Sequence, residues 1–371
     1  MYSEVPCEKK ISINDLQASM TLARDIHALD ASVIMKKDRV IESVDFDKLR
    51  KNNIKYAYIY ADAALGLSDA VERRGDVPEF IPLEKTREFN DFRATYNDKT
   101  EEVRSSLLAI SDGKEIQLDR LYSLTNGIIE KVKYKKDIFS YLSSIRGKDE
   151  HTFTHSNNVA LLCNLFGRWL GMSGSDLVHL TTAGILHDIG KTKIPDSVLN
   201  KKGALTDKEF QTMKQHTSFG YRILGDQARA ENLPQEITQV ALLHHEKING
   251  KGYPLGLTGD MTPDFVKIVT ICDIYDAMTA NRCYRPKMCA FDVIKNFEQK
   301  SFGELDTKYL LVFLENIAYN YLGCWVTLSD GRVGKVAFVN RSALSRPIVT
   351  VGDDVVDLSV PNTTLTIESV V

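Results

Sequence analysis

"SDLVHLTTAGILHDIGK", residues 175–191, is the stretch that decides the fold class of this chain. Its apolar residues recur at the helical period, a Ser-Asp pair stands where a helix would start, and Gly190 stands where it would end. His187 and Asp188 close the apolar run, where an inward-facing imidazole or carboxylate without a partner would be costly. The stretch therefore predicts a core helix that carries a histidine and an aspartate into a buried site.

Three other segments share this helical pattern. One ends at Gly171 and another starts at Pro234. The third begins at Pro263 and is predicted to continue as one helix through Arg285. Together these segments predict a bundle of about five or more helices over residues 148–320.

The flanking regions have different patterns. Residues 1–63 alternate short apolar runs with polar turns and predict a small α/β module. Residues 64–147 predict a connector and amphipathic helices, which could pack within the chain or form a homodimer seam. Residues 321–371 predict a β segment with a hairpin turn at Asp330-Gly331. The predicted fold class is mainly α, a helical bundle with a small N-terminal α/β module and a short C-terminal β appendage.

Composition limits the function classes. The chain has 371 residues, of which 43% are hydrophobic and 26% charged, as in ordinary globular proteins. A net charge of −3 argues against a general DNA binder, although a local basic pocket could hold a small phosphorylated ligand. Six cysteines without CxxC spacing indicate reduced thiols, and neither a leader nor a long apolar run is evident. We therefore expect a cytoplasmic protein without membrane insertion.

The strongest chemical signal is a cluster of metal-ligand residue types. Seven of the eight histidines lie between residues 151 and 245. Imidazole and carboxylate together favour iron, manganese, zinc or nickel over magnesium or calcium. Adjacent helical residues project about 100° apart, so two neighbouring histidines can face one cavity only if it is wide or the helix is ending. A site with more than one metal ion is wide enough. The candidate ligands are His155, His187, Asp188, His216, His244, His245 and Asp273.

Around these residues the chain resembles the HD-GYP phosphodiesterases, a subgroup of the HD metal-dependent phosphohydrolases. The resemblance covers about residues 149–290 and rests on five segments in family order. They read "THSNNVA", "GILHDIGKTKIPDSVLNKKGALT", "HTSFGYRIL", "ALLHHEKINGKGYPLGLTGD" and "ICDIYDAMTANRCYR". It implies an HD-type helical bundle that holds two or three divalent metal ions, commonly iron or manganese.

The resemblance also implies which residues hold the metals. His155, His187, Asp188 and Asp273 would hold one ion. The second would be held by His216, His244 and His245, with Asp188 bridging both. Family members thought to hold three metals commonly have a glutamate four residues before the first of these histidines. This chain has His151 at that position, so a third metal stays an open alternative.

The implied activity is hydrolysis of cyclic di-GMP to linear pGpG, with a further step to GMP left open. Lys191 would orient the nucleophile or protonate the leaving oxygen, acting with Asp188. The residues expected to contact the substrate are Tyr253, Pro254, Arg282 and Arg285, with Lys201 as a further candidate phosphate contact. Three alternatives remain: a phosphodiesterase for cyclic GMP-AMP, a di-iron oxygenase, and a catalytically silent cyclic-dinucleotide receptor.

Overall fold

The chain divides into two compact units, Met1–Phe80 and Ile81–Val371. The computed structural model describes residues 8–12, 21–27, 33–37, 39–41, 45, 48–49, 52, 54, 56–60, 83–132, 137–145, 152–231, 233–280 and 288–370. Residues 61–82 therefore lie outside the described residues, as do His151, Arg282 and Arg285. The predicted division at residues 63, 147 and 320 stays a prediction.

The N-terminal unit is built on short antiparallel strands. Strands β1 (Glu8–Ser12) and β4 (Tyr56–Tyr60) pair with Lys10 opposite Tyr58, and β2 (Ile26–His27) pairs with β3 (Val33–Met35). Leu22, Met35, Leu49 and Ile59 belong to its small apolar core. The β-rich segment at residues 56–60 thus forms the strand that its aromatic and β-branched residues predict.

The second unit is mainly helical. Its helices are α1 (Arg87–Ser111), α2 (Leu118–Lys131), α3 (Asp137–Ile145), α4 (Thr152–Trp169), α5 (Gly174–Leu186), α6 (Asp196–Leu199), α7 (Asp207–Glu231), α8 (Gln235–Leu243), α9 (Asp264–Thr279), α10 (Ala290–Lys300) and α11 (Thr307–Asn320). Short 3₁₀ turns occupy Leu83–Lys85, Ile189–Lys193 and Gly259–Met261. No helix of the described residues is long and apolar enough to cross a membrane.

Helix α4 lies at the centre of this unit. Every residue from His155 through Gly167 is buried, which is the pattern of a helix surrounded by protein on all sides. Helices α5 and α9 both pack against it. Because α4, α5 and α9 each carry candidate ligands, their mutual packing brings residues that are more than 100 positions apart in sequence into one place.

The helices before α4 belong to the same core. Val103 and Leu107 of α1 and Leu121 and Ile128 of α2 are buried in the cluster that also holds α4 and α5. Their apolar faces are therefore used within the chain, and the predicted homodimer seam through these helices stays a prediction that would have to use other residues.

Two polar contacts fix α1 beside the histidine-rich segments. The Tyr96 hydroxyl donates a hydrogen bond to Asn158 Oδ1 at 2.6 Å, and the hydroxyls of Ser111 and Thr192 lie 2.7 Å apart. Asn158 is on α4 three residues after His155, and Thr192 is in the turn that follows Asp188.

The chain ends in a five-stranded antiparallel sheet of order β8-β7-β6-β5-β9. Its strands are β5 (Trp325–Leu328), β6 (Val333–Asn340), β7 (Ala343–Val351), β8 (Asp354–Asp357) and β9 (Ile367–Val370). β5 and β6 form the hairpin predicted around Asp330-Gly331. Buried residues such as Val326 and Val349 join the helical core. The predicted fold class is confirmed.

Candidate metal centre

The HD turn, residues 187–193, is where two ligand-bearing segments meet. His187 directly follows α5 and keeps helical dihedral angles, whereas Asp188 leaves the helix at φ −103° and ψ 10°. A Cβ added to Gly190 would lie 1.9 Å from the carbonyl oxygen of His216 and 2.4 Å from the amide nitrogen of Gly220. Only glycine permits this approach. The main chain of α7 therefore lies directly against the turn and brings His216 beside Asp188.

The Asp188 carboxylate lies between two sets of imidazoles. Its Oδ2 is 3.5 Å from His155 Nε2 and 3.2 Å from His187 Nε2. Its Oδ1 is 3.3 Å from His216 Nε2 and 3.6 Å from His244 Nε2. Each carboxylate oxygen thus faces a different pair of histidines, which is the arrangement that a bridging ligand between two cations requires.

The imidazoles are oriented by their other nitrogen. The Nδ1 atoms of His187, His216 and His244 each donate a hydrogen bond to a carbonyl oxygen of their own helix, and that of His155 contacts a carboxylate. This fixes the rings and leaves the Nε2 atoms of His187, His216 and His244 available as ligands. The partners are Gly184 O at 2.8 Å for His187, Met213 O at 2.7 Å for His216, Val240 O at 3.0 Å for His244 and Asp276 Oδ2 at 2.8 Å for His155.

Polar atoms left without hydrogen bonds show that the residues fit divalent cations. His187 Nε2 and Asp188 Oδ1 are buried and neither makes a hydrogen bond, despite the neighbours just described. His216 Nε2 and His244 Nε2 face each other at 3.2 Å, although both have their Nδ1 atoms engaged as donors. Such buried lone pairs are costly unless a cation satisfies them.

Three groups of these residues could hold a metal ion. Within each group the ligand atoms lie within 4.8 Å of one another, and the groups are His155, His187 and Asp273; His187, Asp188 and His244; and His216, His244 and His245. The groups share members, so they form one continuous centre rather than separate sites. The structure thus brings together every predicted ligand except His151, which is outside the described residues.

The centre has two electrostatically different sides. We call His155, His187 and Asp273 the carboxylate half, since Asp276 also lies there, and His216, His244 and His245 the imidazole half; Asp188 joins them. In the carboxylate half, burial lowers the pKa of His155, but hydrogen bonds to Asp273 and Asp276 outweigh it and raise that pKa to about 9. In the imidazole half, burial is the main effect and lowers the pKa of His216 to about 3.

The pKa values of His245, Asp188 and Asp273 are also shifted, in each case downward. Burial and the neighbouring His244 lower the pKa of His245 well below its usual value. Burial by itself would raise the pKa of Asp188, but the charges of Lys191 and His187 bring it well below the ordinary range. Hydrogen bonding to His155 likewise outweighs burial and lowers the pKa of Asp273. Both carboxylates are therefore ionised and available as ligands at neutral pH.

Lys191, the predicted catalytic lysine, lies beside Asp188. Its ammonium contacts Asp188 Oδ2 directly, and its side chain is about one fifth exposed at 21%. It can therefore reach a molecule bound at the centre while it keeps Asp188 ionised.

The loop after His245 forms a wall beside the imidazole half. The Tyr253 ring stacks on the His245 ring with centroids 4.7 Å apart and planes 28° apart, and Pro254 follows directly. Glu246 holds this loop: its buried carboxylate accepts backbone N–H bonds from Leu255 at 2.6 Å, Gly256 at 3.0 Å and Leu257 at 2.9 Å. A Cβ at Gly252 would lie 2.4 Å from Glu246 Cα, so the loop folds back tightly on the segment that carries the ligands.

Of the three other residues expected to contact substrate, the structure describes Lys201. Lys201 Nζ lies 2.6 Å from Glu209 Oε2, and the same carboxylate caps Thr206 at the start of α7. The prediction that one helix runs through Arg285 is wrong. Helix α9 ends at Thr279, because Ala280 adopts the extended angles φ −82° and ψ 147°. Arg282 and Arg285 themselves lie outside the described residues.

Sequence reasoning missed two residues that organise the centre. Asp276 lies three positions after Asp273 on α9, on the same helix face, and this spacing was a usable signal. Glu246 follows His245 directly, but its role depends on a loop conformation that no short pattern specifies.

Comparison with known proteins agrees with this geometry. Residues 142–306 match the model of the HD domain family. A cyclic di-GMP phosphodiesterase of Pseudomonas aeruginosa is 28% identical over 83% of this chain and 75% of the relative. A 3′3′-cGAMP-specific phosphodiesterase of Vibrio cholerae is 30% identical over 59% of this chain and 44% of the relative. A cyclic di-GMP phosphodiesterase of Thermotoga maritima is 39% identical over 45% of each chain.

The chain therefore carries an HD domain, the metal-dependent hydrolase fold that the resemblance predicts, over residues 142–306. The prediction that it is an enzyme of the hydrolase class is confirmed at this level. The chain spans three quarters of the length of the Pseudomonas relative and less than half of the length of the other two.

Proposed function

We propose that this chain is an HD-GYP phosphodiesterase that opens cyclic di-GMP to linear pGpG, with GMP as a further product. The observation that carries the proposal is the Asp188 carboxylate, whose two oxygens face different imidazole sets at 3.2 to 3.6 Å. A carboxylate shared between two cations is the arrangement used to cleave phosphodiesters by in-line displacement. The names of the relatives support a cyclic dinucleotide as substrate.

In this proposal each half of the centre holds one divalent cation. His155, His187, Asp188 and Asp273 hold the first, and His216, His244 and His245 hold the second together with Asp188. Iron or manganese suits this mixture of imidazole and carboxylate ligands. When bound, the cations supply Lewis acidity, lower the pKa of a nucleophilic water and neutralise charge on the phosphate. A third cation would require His151.

The surrounding residues handle protons and orientation. Lys191 keeps Asp188 ionised and presents an ammonium that can donate a proton to the leaving ribose oxygen. Tyr253 and Pro254 form a flat apolar wall against which a guanine base stacks. Arg282 and Arg285 grip the phosphate remote from the cations, since a guanidinium matches phosphate geometry. Lys201 would leave Glu209 to contact a phosphate.

A second candidate substrate is 3′3′-cyclic GMP-AMP, because one relative is named as specific for it. Stacking on Tyr253 does not distinguish adenine from guanine, so both substrates fit the same wall. A silent receptor would be expected to have lost a ligand, and the described residues include a complete set for two cations. A cyclic dinucleotide substrate also fits the expected cytoplasmic location and the expectation, from the net charge of −3, that the chain does not bind DNA.

The proposal is tested by metal analysis and product chromatography on the full chain. The protein is loaded with iron or manganese, and the metal content per chain is measured. Cyclic di-GMP and 3′3′-cyclic GMP-AMP are then supplied separately and the products resolved over time. We expect about two metal ions per chain and conversion of cyclic di-GMP to pGpG, lost after chelation and restored by metal. Tight binding without turnover would instead establish a receptor, and oxygen consumption without phosphodiester cleavage would establish an oxygenase.

A further inference from the structure

A cluster of aromatic rings and one ammonium lies beside the metal centre. Lys214 Nζ is 5.2 Å from the centroid of the Phe210 ring and 5.6 Å from the centroid of the Tyr253 ring. Phe210 and Lys214 are four residues apart on α7 and so occupy one face of that helix. We call Phe210 and Lys214 the α7 rim. It has no part in the functions assigned so far.

The α7 rim is joined to the centre through both of its neighbours. Lys214 is two residues before His216, which faces Asp188 Oδ1. Tyr253, the ring beneath the Lys214 ammonium, stacks on His245. A molecule bound to the cations and stacked on Tyr253 must therefore meet Lys214.

Lys214 differs from Lys191, Lys201 and Lys247, each of which pairs with a carboxylate. Lys191 contacts Asp188, Lys201 contacts Glu209 and Lys247 contacts Glu304. In the part of the chain that the structure describes, no carboxylate lies within ion-pair distance of the half-buried Lys214 ammonium. Only the faces of two aromatic rings compensate its charge, and this weak interaction leaves the ammonium available to an anion.

Phe210 provides the second element of a binding site. Phe210 is 46% exposed, so one face of its ring is open to a bound molecule. An exposed flat ring next to an uncompensated cation matches a nucleotide, which has an apolar base face and an anionic phosphate. An acidic peptide would use the cation but would leave the ring without a partner.

We propose that the α7 rim is a second nucleotide subsite, in which Phe210 stacks on a purine and Lys214 binds the adjoining phosphate. This inference rests on the proposed function, because it assigns the half of the cyclic dinucleotide that is not being cleaved. His245 covers one face of Tyr253, and Lys214 lies over the same ring. A base that stacks on Tyr253 therefore displaces the ammonium, which then pairs with phosphate. Lys214 thus protects the stacking face until substrate arrives.

The test compares substrates with and without a second nucleotide. The metal-loaded full chain and its Lys214→Gln, Lys214→Arg and Phe210→Ala variants are assayed on cyclic di-GMP and on bis(p-nitrophenyl) phosphate, a diester with no base and a single phosphate. Lys208→Gln is the matched control, since Lys208 is exposed on the same helix. We expect Lys214→Gln and Phe210→Ala each to raise the KM for cyclic di-GMP about tenfold, while kinetics on the small diester stay unchanged. Lys214→Arg should retain most of the affinity.

Two results would overturn the subsite. One is a KM for cyclic di-GMP within twofold of wild type in both Lys214→Gln and Phe210→Ala. The other is an equal loss on the small diester, which would place Lys214 in the metal centre itself.

Failure of the proposed function gives a different pattern. The wild-type chain would then cleave the small diester but neither cyclic dinucleotide. In that case the subsite is measured by calorimetric binding of GMP to the metal-loaded protein. Lys214→Gln and Phe210→Ala must each weaken GMP binding and Lys208→Gln must not. Equal GMP affinity in all four proteins would reject the subsite.

Discussion

The carboxylate half and the imidazole half of the centre contain the same kind of ring in opposite electrostatic states. His155 lies between Asp273 Oδ1 at 3.0 Å and Asp276 Oδ2 at 2.8 Å, and its pKa rises to about 9. His216 has no such pair of carboxylates, and burial beside other imidazoles lowers its pKa to about 3. These two histidines therefore differ in protonation state before a cation binds. His155 must release a proton, whereas His216 is already neutral.

The largest expected effect comes from removing the group that both halves share. Asp188→Ala leaves His216 and His244 without the carboxylate oxygen that lies within 3.6 Å of them and removes a ligand from the carboxylate half as well. We expect kcat for cyclic di-GMP to fall by more than about 1,000-fold and both cations to be lost, because each half loses charge compensation. Metal analysis and product chromatography measure the two effects. Asp176→Ala, at an exposed position of α5, is the control. Near-normal turnover would reject the bridging role.

The second prediction is that the metal affinity of the two halves depends differently on pH. A cation binds only the unprotonated imidazole, and His155 with a pKa of about 9 is protonated throughout the neutral range. Raising the pH from 6 to 8 should therefore strengthen binding to the carboxylate half about tenfold per unit, or about 100-fold in total. Affinity of the imidazole half should change little through His216, whose pKa of about 3 lies far below this range. Metal titrations at three pH values measure this, and identical slopes for both cations would contradict it.

The third prediction concerns Asp276, which contacts His155 but is not itself a predicted ligand. Asp276→Asn removes the anionic partner of His155 Nδ1 while keeping the size of the side chain. We expect metal affinity of the carboxylate half to fall about tenfold, as is typical when the partner of a ligating histidine is changed, with the imidazole half unaffected. The readout is the stoichiometry of a metal titration, and Asp264→Asn at the exposed start of α9 is the control. Equal weakening of both cations would show that Asp276 acts on the fold and not on His155.

The smallest expected effect lies beside the imidazole half. Glu246→Gln weakens the three backbone hydrogen bonds that hold the loop carrying Tyr253. We expect the KM for cyclic di-GMP to rise about fivefold and unfolding stability to fall by about 1–3 kcal/mol, with metal content unchanged. Steady-state kinetics and thermal unfolding measure these changes. Glu236→Gln, exposed in the first turn of α8, is the control. Loss of a cation would mean that Glu246 supports the ligands and not only the loop.

Much of the centre could be predicted because its ligands end or interrupt apolar helices. His187 and Asp188 follow the apolar run of α5, and His244 follows that of α8, so the inward direction of these helices also fixes where the ligands point. The C-terminal hairpin could also be predicted, since Asp330-Gly331 specifies a tight turn.

The remaining features depend on contacts that no local pattern contains. Helix α9 ends at Thr279 although the residues next to it provide no glycine or proline as a stop signal. Glu246 accepts hydrogen bonds from three backbone amides only after the loop has folded back. The ion pair of Lys201 with Glu209, by contrast, could have been predicted. Thr206 and Glu209 form a recognisable capping pair, which places a carboxylate close to Lys201.

Gly190 determines how closely the HD turn and α7 approach each other. Main chain lies against main chain at this point, with no side chain between the HD turn and α7. Side chains can change rotamer and so act as compliant spacers, whereas packed backbones hardly deform. The packed main chain therefore fixes the spacing of the two halves before any cation or substrate binds. Replacing Gly190 with alanine would push the main chain of His216 away from the HD turn without changing any predicted ligand side chain.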